Sequence, residues 1–523
     1  MKKTITTLTL ILSIQFANSQ SFNGFALYNE GGGNTTYLID ENQNIAYDWV
    51  MGTECNYTVQ LKENGNLVRG TKNNGNILGG ASEAGRVQEI DPNGDIVWDY
   101  IYSTSDYLSH HDLTLIGDNV LITAWEKKSL AELDAAGYNS GSSERWPTHF
   151  VELAPDGNGG ATIVWEWHIW DHLCQNTDPN KPNYTTDVSE HPELIDINMI
   201  QSPPPNPNNP NGDWFHVNGV DYNEDLDQIV FSSRHASEIY IIDHSTTTTE
   251  AASHSGGNSG MGGDILYRWG NPSNYGMSGT VMIPGAVHDA RWITNDGRPN
   301  GGFLQIFNNS GLSNNQSTID GIQTPWDPST STYLRTAGQA FSPSSYTTRY
   351  ECLISANGQS ASDRMSNGNI FVNASLGGSQ GSGTMYEVDS LGNTTVWGPT
   401  SGGLKGFRYE CDYPGIIALE PYMNTATTSC FTSTSVDDLD DIISVFPNPT
   451  NGFINIEIDQ SLNRVNEIII FNILGQPVYN KVINDSDRFL LKVDLGEYSE
   501  GIYVLNLIYD SGKKDTKCIS YIR

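Results

Sequence analysis

"GRVQEIDPNGDIVWDY", residues 85–100, reads as a strand, an acidic residue, a tight turn and a second strand that closes on tryptophan. Apolar residues alternate on both sides of Asp91-Pro92-Asn93-Gly94, the pattern of a hairpin. "NGNLVRG" (64–70) precedes it. The pair recurs as "NGNIFVNAS" (367–375) followed by "GTMYEVDSLGNTTVWG" (383–398). The second half recurs alone in "HFVELAPDGNGGATIVWEW" (149–167) and "EIYIIDHSTTTTE" (238–250). A repeat of about four strands is the unit of a β-propeller blade. Helical periodicity is almost absent, so the fold class is all-β. Units begin near Tyr57, His110, His216, His288 and Cys352. Strands in 36–50 and 407–420 are left over at the two ends and can join into one more blade. The expectation is a six-bladed propeller over about 22–422. Residues 303–350 do not parse into strands cleanly and leave seven blades open.

The ends of the chain read differently. Residues 1–19 have a basic start, an apolar stretch and Ala17-Asn18-Ser19, the pattern of a secretory signal peptide cleaved after Ser19. No apolar run is long enough for a membrane-spanning helix. The propeller is expected over 20–423. Residues 424–442 ("MNTATTSCFTSTSVDDLDD" from 423) are polar and read as a linker. Alternating strands in 443–523 predict a small separate β-sandwich. Two of its motifs are Phe446-Pro447-Asn448-Pro449-Thr450-Asn451-Gly452 and Gly501-Ile502-Tyr503-Val504-Leu505. By these the segment resembles the C-terminal sorting domain of type IX secretion substrates in the Bacteroidetes. That resemblance implies passage through the periplasm and outer membrane on the type IX machinery. Removal of the domain would follow, with the protein released or held at the cell surface.

Lys+Arg is 27 against Asp+Glu 61, a formal charge of −34 at pH 7. Such a field repels phosphate and argues against a nucleic-acid or anionic-membrane partner. An anion site must then be a local island of positive charge. Six cysteines stand at 55, 174, 352, 411, 430 and 518, with no CxxC pair. Export permits disulfides. Cys352 and Cys411 each end an Arg-Tyr-Glu-Cys tetrapeptide, and their pairing is the expectation; Cys411 with Cys430 competes.

Histidines open three of the units: His110-His111, His216 and His288. The first strand of a blade lies nearest the propeller axis, so equivalent positions converge on one end of the central channel. Arg234 and His235 lie on the next strand of the unit that His216 opens. Imidazole is a nucleophile and a general acid or base near neutral pH. A guanidinium fork matches tetrahedral oxyanions. Together they suggest transfer of an anionic group through histidine. A rival chemistry has the imidazoles and Asp112 or Asp289 ligating a metal. "EWHIWDHL" (166–173) offers Trp167, Trp170, His168 and His172 as an aromatic wall or as packing between blades. "QSPPPNPNNPNGDWFH" (201–216) reads as a rim loop.

At Trp214-Phe215-His216-Val217-Asn218, Ser232-Ser233-Arg234-His235, His288-Asp289-Ala290-Arg291 and Phe307-Asn308-Asn309 the sequence resembles the arylsulfotransferase family. The resemblance covers most of 22–420. It implies a six-bladed propeller that moves a sulfuryl group from a phenolic sulfate ester to a phenol through a sulfohistidine. No nucleotide sulfate donor, other cofactor or catalytic metal is implied. Carried over, His288 is the nucleophile, and Arg234 and Asn218 hold the sulfuryl oxygens. His216 and His111 bind those oxygens or protonate the departing aryl oxygen, and His110 could exchange roles with His111. His235 and Asn308 join the substrate-binding set, and Asn309 supports it. Two other functions stay open: a metal-dependent polysaccharide lyase or hydrolase, and a non-catalytic propeller binding glycans or proteins. A homodimer is one candidate assembly.

Overall fold

The computed structural model describes residues 20–139, 143–200, 212–278, 282–375, 382–431, 443–458, 465–472, 476–483, 489–509 and 514–522. The expected signal peptide, most of the proline-rich loop and residues 432–442 lie outside them. The chain divides into two compact units, Met1–Phe431 and Thr432–Arg523.

Among the described residues the first unit holds six four-stranded antiparallel sheets. Their leading strands are β1 (Cys55–Leu61), β2 (Tyr107–Ile116), β3 (Val217–Asn223), β4 (His288–Trp292), β5 (Ala361–Arg364) and β6 (Gly406–Glu410). Each packs against the next along the chain. The ring closes where the Tyr409 hydroxyl accepts the Leu61 N–H at 3.0 Å and the Tyr413 hydroxyl donates to the Leu61 carbonyl at 2.7 Å. This is a β-propeller. Its closing sheet joins the two ends of the unit: β6 pairs with Gly24–Asn29, which leads on to Thr35–Ile39 and Ile45–Val50.

Three expectations shift. The fifth sheet begins at Ala361, not Cys352, because Thr348–Glu351 pairs with Thr318–Ile322 as the outer strand of the fourth. A short hairpin, Trp326–Asp327 with Thr332–Tyr333, interrupts that sheet and explains why 303–350 parses poorly. Of the leftover stretch 407–420, only the part up to Glu410 is strand, and Pro414–Leu419 is helical.

The acidic residue in each repeat has a physical role. Asp91 Oδ1 accepts the amides of Asn93 and Asp95, both at 2.9 Å. Asp40 does the same for Asn42 and Asn44, Asp156 for Asn158 and Gly160, and Asp389 for Leu391 and Asn393. One carboxylate thus ties two amides that the turn would leave unpaired. Aromatic residues of the outer strand then reach the turn of the following blade. Trp98 Nε1 donates to Gly160 O at 2.9 Å, Trp165 Nε1 to Thr246 Oγ1 at 3.1 Å, and Trp397 Nε1 to Glu41 O at 2.8 Å. The Tyr47 hydroxyl does the same to Pro92 O at 2.6 Å. The repeat closes on an aromatic residue because that ring latches its blade to the next.

The disulfide joins Cys411 to Cys430, and Cys352 is a buried free thiol. The expected Cys352–Cys411 bond is therefore wrong. Cys352 follows the outer strand of the fourth sheet and packs with Ile370, Val372 and Tyr386 of the fifth, whereas Cys411 follows β6. The same bond holds 424–431 against the closing sheet, where Thr428 and Ser429 donate to Glu41. The start of the expected linker thus belongs to the first unit.

The second unit packs a three-stranded sheet on a four-stranded one. Ile454, Ile456, Ile468, Ile470, Leu505, Leu507 and Ile519 fill the space between them, which makes it a β-sandwich. Thr450 of the Pro-Asn-Pro-Thr-Asn-Gly stretch pairs its N–H with Ser520 O at 2.8 Å, tying the motif to the last strand.

Candidate active site

The ladders of β1 to β4 each break at the same end. Register shifts fall between Cys55 and Val59, Ser109 and Leu113, Val217 and Gly219, and His288 and Arg291. A bulge re-aims side chains that regular pleating would bury or expose by turns. Backbone strain marks the same places. His111, His216 and Asp289 take φ of 55°, 52° and 53°. Such values are uncommon without glycine and collect at functional sites. Where β3 meets β4 there is no room for a side chain: a Cβ on Gly219 would lie 2.8 Å from the Asp289 backbone.

These breaks gather the histidines. The His111 and His216 rings stand 4.6 Å apart between centroids, and His216 and His235 stand 4.7 Å apart. His110 Nδ1 is 2.7 Å from His111 Nδ1, and its ring stacks on Trp125 at 4.0 Å. Of the pair, His111 is the one that meets His216. His216 Nδ1 makes a short hydrogen bond to Asp213, whose Oδ1 also accepts Trp125 Nε1 at 3.1 Å. Burial works against the Asp213 charge, but the facing His216 outweighs it and holds the carboxyl well below its usual range.

His288 is pinned from one side. Its Nδ1 lies 2.8 Å from Ala286 O and 2.8 Å from Asn309 Oδ1. Asn309 Nδ2 donates to the Ala356 and Gln359 carbonyls, which fixes the oxygen of that amide toward His288. Both groups facing Nδ1 accept, so Nδ1 carries the proton and Nε2 keeps a free lone pair. Burial pushes the His288 pKa down to about 3, so the ring is neutral at neutral pH. Burial likewise lowers His110 to about 3, His235 to about 4 and His111 well below the ordinary value.

Arg234 is half-buried and beside these rings; its charge helps to depress both His288 and His235. Among the described residues every other arginine side chain donates to an acceptor, and the Arg234 guanidinium donates to none. In a chain of charge −34 it puts one positive charge beside the central histidines.

Other expected residues are occupied within the protein. Asn218 Nδ2 donates to Val287 O at 2.8 Å, and its Oδ1 accepts Ser232 Oγ at 2.7 Å. It ties β3 to the residue before His288. Asn308 accepts Gly285 N and donates to Asp320, and so braces the same segment. Asp112 and Asp289, the carboxylates of the metal alternative, both bind the buried Lys405 ammonium, at 2.7 and 2.9 Å. Burial opposes the Lys405 charge, the two carboxylates outweigh it, and its pKa is raised. Trp167 is fully buried, with Nε1 on Gly263 O, so it packs a blade and is no wall of the centre.

Asp213, Trp125 and Lys405 join this cluster without being singled out by the sequence patterns. Asp213 precedes His216 by three residues in Gly-Asp-Trp-Phe-His, a spacing that could have flagged it. Nothing local marks Lys405.

The model of the family described as "Arylsulfotransferase (ASST)" matches residues 10–330, more than half of the chain. The chain belongs to the arylsulfotransferase family. The model described as "Secretion system C-terminal sorting domain" matches residues 444–521, which marks this arylsulfotransferase family member for export to the cell surface or beyond. No helix among the described residues is long and apolar enough to cross a membrane. No curated protein matches the sequence. Among solved structures, the chain is similar to Kuenenia stuttgartiensis hydrazine synthase, at 13% identity over 60% of this chain and 69% of that one, TM-score 0.31. A luciferin-regenerating enzyme shares 10% identity over 74% and 96%, TM-score 0.34. A functionally unknown protein from Desulfotomaculum acetoxidans shares 9% over 89% and 98%, TM-score 0.32.

Proposed function

We propose that the protein is an exported aryl-sulfate sulfotransferase that works through a sulfohistidine at His288. The observation that carries this reading is the fixed tautomer of His288, with Nδ1 held by two acceptors and Nε2 free. In the first half-reaction Nε2 attacks the sulfur of a phenolic sulfate ester. The bond from sulfur to the aryl oxygen breaks, and its electron pair stays on that oxygen. His216 supplies the proton that the departing oxygen takes, and Asp213 steadies the imidazole that gives it. In the second half-reaction a phenol returns that proton to His216, its oxygen attacks sulfur, and the S–N bond breaks. Arg234 binds the sulfuryl oxygens, where charge shifts in the transition state. His111, neutral and beside His216, donates to the same oxygens. Asn218, Asn308 and Asn309 act by holding β4 and His288 in place.

The metal alternative loses its carboxylates to Lys405. Export would use residues 1–19 as a signal peptide and 443–523 as the passport of the type IX machinery. The test is nitrophenolate release from p-nitrophenyl sulfate, with and without phenol and with no nucleotide sulfate. Release that accelerates with phenol supports the reading. Release indifferent to phenol, or absent without a nucleotide donor, contradicts it.

A further inference from the structure

His172, His254 and Asp264 stand together on the blade led by β3 and its neighbour, away from the central histidines. Their ligand atoms all lie within 4.8 Å of one another. His172 ends a short 3-10 turn, Ile169–His172, and its side chain is fully buried. Its Nε2 lies 2.8 Å from the Ala251 carbonyl, which can only accept. Nε2 therefore carries the proton, and in the neutral ring Nδ1 is a lone pair. That lone pair points at Asp264 Oδ1, 2.8 Å away. His254 Nδ1 points at the same oxygen from 2.7 Å. Asp264 is itself buried, with a side chain 7% exposed. A lone pair facing a carboxylate oxygen is repulsive unless a cation neutralises the pair. The cation is either an extra proton on His172, between the two atoms, or a metal ion seated beside them that both ligate.

The surroundings favour the metal. A metal-bound imidazole commonly donates its other N–H to a backbone carbonyl, as His172 does to Ala251. The ring is clamped by Trp167, stacked at 5.5 Å and 6°, whose own Nε1 donates to Gly263 O. Gly263 has to be glycine, since a Cβ there would meet Ala251 O at 2.0 Å and His172 Nε2 at 2.6 Å. The loop is thus shaped to bring Asp264 onto His172. His254 is 61% exposed, so one side of the cluster faces water. Two nitrogens, one carboxylate oxygen and an open side fit four-coordinate zinc with a water ligand.

We propose that His172 Nδ1, His254 Nδ1 and Asp264 Oδ1 bind one divalent transition-metal ion, with zinc the best match. The ion would pin the Gly-rich loop 255–263 to the preceding blade. It lies apart from the sulfuryl-transfer site and takes no part in that reaction.

Untagged full-length protein is stripped with chelator, desalted and titrated with zinc against a chromophoric competitor. The expected result is one tight zinc per chain and a melting temperature that rises with added zinc. His254→Ala removes an exposed ligand, so the apo fold is expected to melt like apo wild type. Zinc affinity should fall by a factor on the order of 100, and the zinc-dependent rise in melting temperature should vanish. Cobalt(II) in place of zinc should give intense visible absorption with wild type and not with His254→Ala. The proposal is overturned if wild type binds no zinc beyond the level of His254→Ala, or if zinc raises both melting temperatures equally. Either result would leave the cluster an imidazolium–carboxylate pair, and neither bears on the sulfohistidine.

Discussion

The Ala286 carbonyl and Asn309 together decide which nitrogen of His288 is free, and burial decides that the ring is neutral. An ordinary imidazole would lose half of its neutral form near pH 6.5. His288, held at about 3, should not. In a single turnover with p-nitrophenyl sulfate, whose leaving group needs little proton help, the rate is expected to stay level from neutral down to about pH 4. A fall centred near pH 6.5 would contradict the assignment. Asn309→Ala leaves only the Ala286 carbonyl to hold Nδ1 and loosens the ring, and the same rate should drop about 10-fold with donor affinity unchanged. Arg234→Lys should lower turnover about 100- to 1000-fold, because an ammonium cannot match two oxygens in one plane. That His288, His216 and Arg234 come together is legible in the sequence, because polar residues interrupt apolar strands at matching places. The partners of Asn218 and Asn308, Val287 O and Asp320, are distant in the chain and come only with the fold.

The strand–acid–turn–aromatic unit is readable because each part does a physical job within or next to its own blade. Asp91→Ala removes two amide caps and should cost about 1–2 kcal/mol. Trp98→Phe keeps most of the ring and loses its bond to Gly160, at about 1 kcal/mol. Shifts in the urea midpoint test both, and a neutral Asp91→Ala would remove the reason given for the repeat. The fourth sheet resisted reading because its hairpin at 326–333 separates two strands that pair with each other. The cysteines misled for a related reason. Arg-Tyr-Glu-Cys occurs twice, yet one copy leads into the fifth blade's core and the other to the closing sheet. Reduction of Cys411–Cys430 releases a 19-residue span and should cost about 3 kcal/mol. Cys411→Ala should show the same loss without reductant.

Taken as a whole, the propeller buries histidines that it keeps uncharged: His110, His149 and His288 are held at about 3, and His235 at about 4. In the unfolded chain the same groups bind protons below about pH 6.5. Between that value and the folded values the unfolded state holds more protons, so stability rises with pH. The fold should be at full strength from these groups above about pH 6.5 and weaken as pH falls toward 3–4. Against burial, Glu126 raises His168, and Glu152 with Asp227 raises His244; these two act in the opposite sense. The test is therefore His149→Gln: the loss of stability on acidification should be smaller than in wild type, and an unchanged or larger loss would contradict the burial. The sandwich beyond residue 432 is a unit of its own. A chain ending at Asp441 should therefore transfer sulfuryl groups normally and fail to reach the medium.

The proposed reaction passes through a covalent sulfuryl group on His288. A brief pulse of p-nitrophenyl sulfate without acceptor, a shift to mildly basic conditions that preserve the S–N bond, and peptide mass analysis will test it most directly. The expected result is an SO3 adduct on the peptide containing His288, discharged by phenol and absent from His288→Asn. Full turnover in His288→Asn, or an adduct on another residue that phenol discharges, would contradict it.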